Sequence, residues 1–305
     1  MKWGFYVAYL HEQTRLFADV ITETANCMSL PEAVIEKDYY VTMLLQGLAK
    51  RLPFLVFKGG TSLSKCYKVI QRFSEDIDLA VDEVLTQGGH KRLKNGIRDT
   101  VDALGLSVEN WEEIRSRRQF NRYVISYSSV GYASSLTSNI IIETPLMALA
   151  EPVNVMPVES LLSEVLTEKA PQILSQFTLQ AFSMKVQSME RTFIDKVFAV
   201  CDYYLCGQTD RHSRHLYDIA KMLPMIKKNE EFKALADEVR KIRLSMKYCP
   251  SAAADVEISA LLHEIIEKSA YKVDYENVTR NLLGERFPYV KSAAALQDVA
   301  DSGMF

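Results

Sequence analysis

The sequence predicts an α+β protein in which a domain with a mixed sheet precedes a domain built as a bundle of helices. Nine of the twelve glycines lie in residues 1–131, so the tight turns that a sheet requires are concentrated there. Short apolar runs bounded by turn residues also occur in this part, which is typical of buried strands. After residue 189 the apolar residues recur at helical spacing. We therefore expect residues 1–175 to form the α/β domain and residues 176–305 the helical domain.

The elements of the first domain follow from their spacing and from the residues that interrupt it. Residues 11–28 and 32–51 have helical spacing, and the second stretch begins after a Ser-Leu-Pro segment that suits a helix start. The apolar run at 54–57 ends at two glycines and predicts a buried strand, after which 62–70 read as a short helix. We also expect strands at 77–81 and 179–187, a basic helix at 91–104, and a hairpin of 123–128 with 138–143.

The last third of the chain is expected to be helical, and no internal repeat or low-complexity segment interrupts it. The expected helices lie near residues 190–206, 213–228, 231–247, 255–270 and 289–300.

Composition excludes several classes of protein. The chain has 305 residues, of which 48% are hydrophobic and 25% charged, and its net charge of −3 argues against nucleic-acid binding through overall positive charge. No run approaches the ~18 apolar residues of a membrane span. The apolar N-terminal run stops at His11 without a cleavage site, so we expect it to pack against the core. Five cysteines without paired zinc-type spacing fit reduced thiols, and Cys201 and Cys206 are interpreted as small hydrophobic residues. We expect a cytoplasmic protein.

Residues 57–62, Phe-Lys-Gly-Gly-Thr-Ser, join the first expected strand to a helix. Backbone N–H groups at a helix start can bind an anion, and the hydroxyls of Thr61 and Ser62 could add to them. Gly59 and Gly60 would let a phosphate approach the backbone because they carry no side chain. The alternative is an ordinary strand–turn–helix with a capping residue. The spacing matches neither the Walker P-loop nor the dinucleotide fingerprint.

Asp76 and Asp78 lie two residues apart in the next expected strand. Their carboxylates should project from the same face, while Ile77 and Leu79 point into the core. Two adjacent carboxylates repel each other unless a cation lies between them, and a divalent metal ion would supply that cation. A single acid-x-acid pair is common by chance. It is less common by chance for such a pair to follow a Gly-Gly-Thr-Ser helix start and one short helix.

Arginines near residue 214 offer a second candidate site. Arg211, Arg214 and Asp218 are spaced to form one stripe of a helix, which would present two guanidinium groups that could bind phosphate. The alternative is an exposed salt bridge between Arg214 and Asp218. His212 and His215 are expected to pack or to form hydrogen bonds rather than to bind a metal ion.

Together these motifs resemble the AbiEii/AbiGii toxin family of nucleotidyltransferases, within the DNA polymerase β-like nucleotidyltransferase superfamily. The matching segments span much of the chain. They are Glu36-Lys-Asp38, Phe57-Lys-Gly-Gly-Thr-Ser-Leu63, Arg72-Phe-Ser-Glu-Asp-Ile-Asp78, Thr192-Phe-Ile-Asp-Lys196 and Arg211-His-Ser-Arg-His-Leu-Tyr-Asp218. The resemblance implies that the first domain has the nucleotidyltransferase fold and that the helical domain completes the active site.

The resemblance also implies a role for each matching residue. Asp76 and Asp78 would hold Mg²⁺ or Mn²⁺ on the triphosphate of an NTP, and Glu143 is either a third ligand or an ordinary glutamate at a strand edge. Lys196 would neutralise the phosphates with Asp218 beside it. A lysine that merely extends to solvent from an apolar stretch is the alternative. The residues assigned to nucleotide binding are Lys58, Gly59, Gly60, Thr61, Ser62, Ser74, Arg211 and Arg214.

The implied activity is metal-dependent transfer of NMP from an NTP to RNA, since members of this family modify the 3′ ends of tRNA. The protein would be the toxin of a toxin–antitoxin or phage-defence (abortive infection) system, with a cognate antitoxin. Residues 211–247 hold ten Lys or Arg against five Asp or Glu, and Arg115, Arg117, Arg118 and Arg122 form another basic cluster. Either could steer RNA, although surface helices are often basic. The alternatives are NMP or phosphate transfer to a protein, and a non-catalytic binding protein.

Overall fold

A computed structural model of the chain describes residues 9–72, 74, 76–116, 118, 120–132, 138–145, 151–246 and 248–305. The described residues confirm the expected α+β architecture with a mixed sheet. They divide into two compact units, one drawn from 1–66, 75–149 and 153–186 and the other from 67–74, 150–152 and 187–305. The N-terminal run expected to pack against the core, and Arg117 of the basic cluster, lie outside the described residues.

The first unit is built on a seven-stranded mixed sheet with the strand order β3-β4-β5-β2-β1-β7-β6. Strands β1–β2, β3–β4 and β4–β5 pair antiparallel, whereas β1–β7 and β2–β5 pair parallel. The strands are β1 (Leu55–Lys58), β2 (Ile77–Val81), β3 (Ser107–Val108), β4 (Phe120–Ser126), β5 (Asn139–Pro145), β6 (Val153–Val158) and β7 (Phe182–Gln187).

Most of these strands were predicted because their apolar residues follow the strand period. The hairpin is present, with β4 and β5 in register from Phe120↔Pro145 to Ser126↔Asn139, and part of its loop lies outside the described residues. Strand β3 was not predicted because it has only two residues. Strand β6 was not predicted because most of its residues are at least partly exposed, so it lacks a clear apolar pattern.

The helices of the first unit are α1 (Thr14–Met28), α2 (Glu32–Arg51), α3 (Gly59–Lys65), α4 (Gln87–Ala103), α5 (Leu161–Lys169) and α6 (Pro171–Gln176). The short helix predicted after the first strand is present, but it spans Gly59–Lys65 and not 62–70, because α3 begins at the first glycine. Helix α2 carries the Glu36-Lys-Asp38 motif, and both of its carboxylates bind groups of the protein itself. Glu36 accepts hydrogen bonds from the Ser129 hydroxyl (2.6 Å) and the Val130 N–H (2.8 Å), and Asp38 binds Lys65 of α3.

The second unit is helical, as the spacing predicted. Its helices are α7 (Met189–Leu205), α8 (Arg214–Met222), α9 (Glu230–Leu244), α10 (Ile258–Glu267), α11 (Lys272–Asp274), α12 (Arg280–Leu282) and α13 (Tyr289–Ala300). A π-helical turn, Tyr275–Thr279, separates α11 from α12. Helix α8 is shorter than the predicted 213–228 because Pro224 lies in the 3-10 turn that follows it. No helix within the described ranges is long and apolar enough to cross a membrane.

Candidate active site

The two aspartates of the acid-x-acid pair lie at the start of β2. The predicted strand at 77–81 is confirmed, with Asp78 inside it and Asp76 directly before its first residue. Both are half-buried, whereas Ile77 and Leu79 have no exposed surface. This alternation places the two carboxylates on one side of the chain and the two apolar residues in the core.

Asp78 belongs to a row of four charged residues that crosses four adjacent strands. Its register partners are Lys58 on β1 and Glu143 on β5, and Glu143 is in turn paired with Arg122 on β4. Register partners project from the same face of a sheet, so the four side chains lie side by side with charges +, −, − and +. We call these residues, Lys58, Asp78, Glu143 and Arg122, the charged row.

The members of the charged row differ in how they are engaged. The Arg122 Nε lies 3.8 Å from Glu143 Oε1, with the arginine side chain 53% exposed. No hydrogen bond or ion pair within the described residues engages the carboxylate of Asp78 or the ammonium group of Lys58. Both are half-buried, so they are accessible to a ligand. Asp78 and Lys58 are therefore the members of the charged row that a ligand can contact.

Gly59 brings the start of α3 against Asp78. Its φ of +79° is in the left-handed region, and a Cβ at this position would lie 1.9 Å from Asp78 Oδ2. A side chain here would be strained and would collide with the carboxylate. The glycine therefore allows the first N–H groups of α3, which have no partner within the helix, to lie beside the charged row.

The hydroxyls that the sequence assigned to phosphate binding are used by the protein's own backbone. Thr61 Oγ1 donates to the Asp76 carbonyl (2.5 Å), and Ser62 Oγ donates to the Gly59 carbonyl (2.9 Å). Both residues are buried. The Thr61 bond ties α3 to the residue before β2, and the Ser62 bond lies within α3. Anion binding at this helix start would therefore rest on backbone N–H groups rather than on the two hydroxyls. Ser74 is half-buried and lies two residues before Asp76.

The second unit contains a buried ion triad of Arg72, Lys196 and Asp218. Arg72 donates from Nε to Asp218 Oδ1 and from Nη2 to Oδ2, both at 2.7 Å. Lys196 Nζ donates to Oδ2, also at 2.7 Å. The side chains of Arg72, Lys196 and Asp218 are 3%, 7% and 0% exposed. The bidentate arginine contact fixes the orientation of the carboxylate, and the carboxylate fixes the lysine.

Burial and charge act in opposite directions on the pKa values of this triad. Burial alone would raise the pKa of Asp218, but the two cations outweigh it and hold that pKa well below the ordinary value. Burial lowers the pKa of Lys196; Asp218 opposes this, and Arg72 reinforces it. Asp218 is therefore ionised, and Lys196 releases its proton more readily than an ordinary lysine.

Three chain segments hold the triad in place. Lys196 is on α7, Asp218 is on α8, and Arg72 is on the 67–74 segment. Gln71 anchors that segment: its N–H donates to the Tyr217 hydroxyl (2.9 Å), and its carbonyl accepts from the Gly284 N–H (2.7 Å). The Tyr217 hydroxyl donates onward to Glu285 Oε1 at 2.6 Å.

The predicted stripe of Arg211, Arg214 and Asp218 on one helix was wrong. Arg211 has a φ of +67° and lies before α8, and Arg214 is the first residue of that helix. The carboxylate of Asp274 accepts the N–H groups of Arg211 (2.8 Å) and Ser213 (3.0 Å), which holds the chain in a turn. The proposed Arg214–Asp218 salt bridge was also wrong, because Asp218 binds other cations. Arg214 makes no ion pair within the described residues.

His212 and His215 pack as expected. The His212 ring stacks on Tyr203 with centroids 3.4 Å apart, and His215 lies nearly parallel to both rings. Burial, followed by the charges of Lys196 and Arg214, holds the pKa of His215 well below its ordinary value. Its Nδ1 is buried without a hydrogen-bond partner in the part of the chain described. His215 is therefore a neutral group beside the ion triad.

Arg72 is the member of the ion triad that the sequence analysis missed, although it lies inside a quoted motif. Charge balance gave no signal for it, because Lys196 and Asp218 already neutralise each other and Arg72 is a second cation on the same carboxylate. Its partner Asp218 is 146 residues away in the sequence, so no local spacing identifies the pair.

The donor chemistry of the first unit fits a hard divalent cation. Asp76, Asp78 and Glu143 supply carboxylate oxygens, which Mg²⁺ and Mn²⁺ prefer. The described residues contain no group of three or more His, Cys, Asp or Glu arranged to hold a metal ion. Glu143 is instead in an ion pair with Arg122. Asp78 and the adjacent Asp76 are thus the residues that fit a metal ion best.

Comparison with known families identifies one match. The family described as nucleotidyl transferase AbiEii toxin, type IV TA system, matches residues 44–301, which include both the charged row and the ion triad. No match was found among curated proteins.

Proposed function

This chain belongs to the AbiEii nucleotidyl transferase toxin family of type IV toxin–antitoxin systems, and on that premise we propose that it transfers NMP from an NTP to the 3′ end of an RNA. The 3′ hydroxyl of the acceptor attacks the α-phosphorus and forms a new P–O bond. The bond from the α-phosphorus to the oxygen that bridges the β-phosphorus breaks, and pyrophosphate leaves. The hydroxyl proton passes to solvent. A tRNA is the proposed acceptor, as the resemblance in the motifs implied.

The observation that carries this proposal is the position of Asp78. Its carboxylate lies against Gly59 at the start of α3, next to Glu143 in the charged row and two residues after Asp76. A helix start beside two neighbouring carboxylates is suited to a ligand that combines phosphates with a divalent cation. An NTP bound to a metal ion is such a ligand.

Asp76 and Asp78 would hold Mg²⁺ or Mn²⁺, with Glu143 as the third candidate ligand. The metal ion, when bound, neutralises the charge that develops on the phosphates and on the leaving group. The chain's own cations act in the same sense. Lys58 in the charged row, together with the N–H groups of Gly59, Gly60, Thr61 and Ser62, would bind phosphate oxygens.

Lys196 is proposed to bind the phosphates, because a positioned cation favours a transferring phosphoryl group. Asp218 and Arg72 are positioning residues in this proposal, since they bind Lys196 directly or through the carboxylate. Arg214 is proposed as a further phosphate contact. Ser74 and Arg211 keep the nucleotide-binding roles that the resemblance assigned to them.

Incubation with α-labelled and γ-labelled NTPs tests the proposal. Each NTP is supplied with Mg²⁺ or Mn²⁺ and total RNA, after which RNA and protein are separated. We expect label in RNA from one or more α-labelled NTPs, none from γ-labelled NTPs, and loss of labelling with a chelator or with Asp78→Asn.

Label in protein would contradict an RNA acceptor. Transfer from a γ-labelled NTP would indicate phosphate transfer instead of NMP transfer. Absence of label in either fraction, with all four NTPs and both metal ions, would indicate a protein that binds without catalysis.

A further inference from the structure

The outer face of β4 carries an exposed aromatic residue and an exposed arginine two residues apart. Along this strand the residues alternate between buried and accessible, and the accessible ones begin with Phe120 and Arg122. Phe120 is 48% exposed, and the Arg122 side chain is 53% exposed. A phenylalanine that leaves half its surface in water beside an arginine is not explained by packing in the core.

This pair is continuous with the charged row. Arg122 is itself a member of the row, at the end opposite Lys58. Neighbouring strands lie about 4.8 Å apart, so Arg122 is about 10 Å across the sheet from Asp78. Phe120 lies two residues before Arg122 on the same face, about 7 Å further along the strand. These spacings match one or two nucleotides of a single strand in length.

The direction of the reaction decides which substrate approaches from this side. This step depends on the proposed function, in which the phosphates of the NTP lie at the start of α3, on the Lys58 side of Asp78. In phosphoryl transfer the attacking and leaving oxygens lie roughly in line through phosphorus. The acceptor hydroxyl must then approach from the other side of Asp78, which is the side of Glu143 and Arg122.

The chemistry of the pair selects the kind of acceptor. Single-stranded nucleic acids are bound by cationic groups on the backbone and by aromatic rings that stack on unpaired bases. Arg122 and Phe120 supply one of each. Arg115 and Arg118, which precede β4, are also exposed and add positive charge.

We propose that the outer face of β4 binds the unpaired 3′ end of the RNA acceptor, with Arg122 on a phosphate and Phe120 stacked on a base. The surface then sets acceptor affinity, whereas NTP affinity depends on residues on the other side of Asp78.

Binding of two fluorescent RNA hairpins tests this proposal. Both are labelled at the 5′ end, and only one has a short unpaired 3′ tail. Phe120→Leu should weaken binding of the tailed hairpin roughly tenfold, the amount expected from losing one stacked base. Phe120→Tyr keeps an aromatic ring and should bind like the wild type. Arg122→Gln should also weaken binding. The slope of the logarithm of the binding constant against the logarithm of the salt concentration should become shallower by roughly 0.7, as the loss of one phosphate contact predicts.

The matched control is Arg15→Gln, which removes an exposed arginine of α1 in the same unit. It should leave RNA affinity unchanged. NTP affinity, measured by calorimetry with Mg²⁺, should be unaffected by Phe120→Leu. Thermal unfolding of each variant shows that the exposed substitutions leave the fold intact.

Three results would overturn this inference while the proposed function stands. One is labelling of RNA by the wild type together with unchanged tailed-hairpin affinity in Phe120→Leu and Arg122→Gln. The second is equal weakening for the hairpin without a tail, which would mean general RNA binding. The third is an Arg122→Gln variant that changes only the metal concentration needed for activity, which would mean that Arg122 acts through Glu143. If the wild type transfers label to protein instead of RNA, the proposed function itself is overturned, and this inference with it.

Discussion

The charged row of the first unit and the ion triad of the second use the same kinds of side chain in opposite ways. Asp78 in the row is half-buried, and no bond within the described residues engages its carboxylate. Asp218 in the triad is fully buried, and both of its oxygens accept bonds from cations. A solvated charge can exchange water for a ligand at low cost. A buried ion pair cannot exchange one partner for a ligand at low cost, because breaking it leaves an uncompensated charge in the protein interior.

The triad also differs from a simple ion pair in its charge balance. Two cations share one anion, so a full positive charge remains when Lys196 is protonated. Burial is the main reason why the pKa of Lys196 falls below its ordinary value, and the charge of Arg72 adds to it. The triad is thus fixed in geometry but still positive, which suits a group proposed to face phosphates. The row is suited to binding a ligand, and in the triad Arg72 and Asp218 are suited to positioning Lys196.

The largest effect is expected from the row. Asp76→Asn and Asp78→Asn should each reduce nucleotide transfer by ~10³-fold or more, because a carboxylate that holds the metal ion supports several kcal/mol of transition-state stabilisation. The melting temperature should change little, since removing one of two like charges relieves repulsion. Asp99→Asn, an exposed position on α4, is the control. Normal rates in both row variants would show that these carboxylates do not bind the metal ion.

The triad should respond in stability. Asp218→Asn leaves Arg72 and Lys196 buried without a counter-charge, and we expect the free energy of unfolding to fall by about 3–5 kcal/mol. Urea titration measures this, with the exposed Asp237→Asn on α9 as the control. If the midpoint equals that of the wild type, the comparison between a solvated row and a dry triad is incorrect.

Lys196 separates positioning from stability within the triad. Lys196→Met should reduce transfer by at least about 10²-fold, because it removes a proposed cation from the phosphates. The loss of stability should be smaller than for Asp218→Asn, because the remaining Arg72–Asp218 pair is neutral and keeps its bidentate geometry. Kinetics and urea unfolding are measured on the same preparation. Equal losses of stability in Lys196→Met and Asp218→Asn would contradict the expectation that the remaining Arg72–Asp218 pair keeps the interior neutral.

The smallest effect concerns pH. The pKa of His215 lies well below 6.5 because burial, Lys196 and Arg214 disfavour another positive charge. As the pH falls below about 6.5, the unfolded chain takes up a proton that the folded protein does not. Stability therefore falls on acidification, by at most about 1.4 kcal/mol per pH unit for this group.

His215→Asn should make this decline shallower. Unfolding free energies of wild type and variant, compared at about pH 7.5 and about pH 5.5, isolate His215 from His11 and His212, whose pKa values are also lowered by burial. Identical slopes for both proteins would show that His215 does not contribute.

Much of the first unit was predictable because its information is local. The alternation at Asp76–Leu79 required only the strand period, and the β4–β5 hairpin required two apolar runs with a polar stretch between them. The start of α3 was predicted less well. Glycines usually indicate a turn, and Gly59 does have a left-handed φ of +79°, with Asp78 occupying the space that a side chain would need. Helix α3 nevertheless begins at Gly59 and not after the two glycines.

The arginine stripe shows where spacing misleads. Arg211, Arg214 and Asp218 have helical separations, but Asp274 binds the N–H groups of Arg211 and Ser213 and delays the start of α8. Asp274 is 63 residues from Arg211 in the sequence. The spacing was compatible with a helix, and a distant side chain decided otherwise.

By itself, the sequence determined the order of elements, the face on which Asp76 and Asp78 project, and the motifs that indicate the family. Each depends on residues within one turn or one strand of each other. The tertiary structure decided which charges meet: Arg122 beside Glu143, and Arg72 with Lys196 around Asp218. These partners are 21 to 146 residues apart, and strand register and helix packing bring them together. Burial then requires that each charge find a partner, which no local spacing can specify.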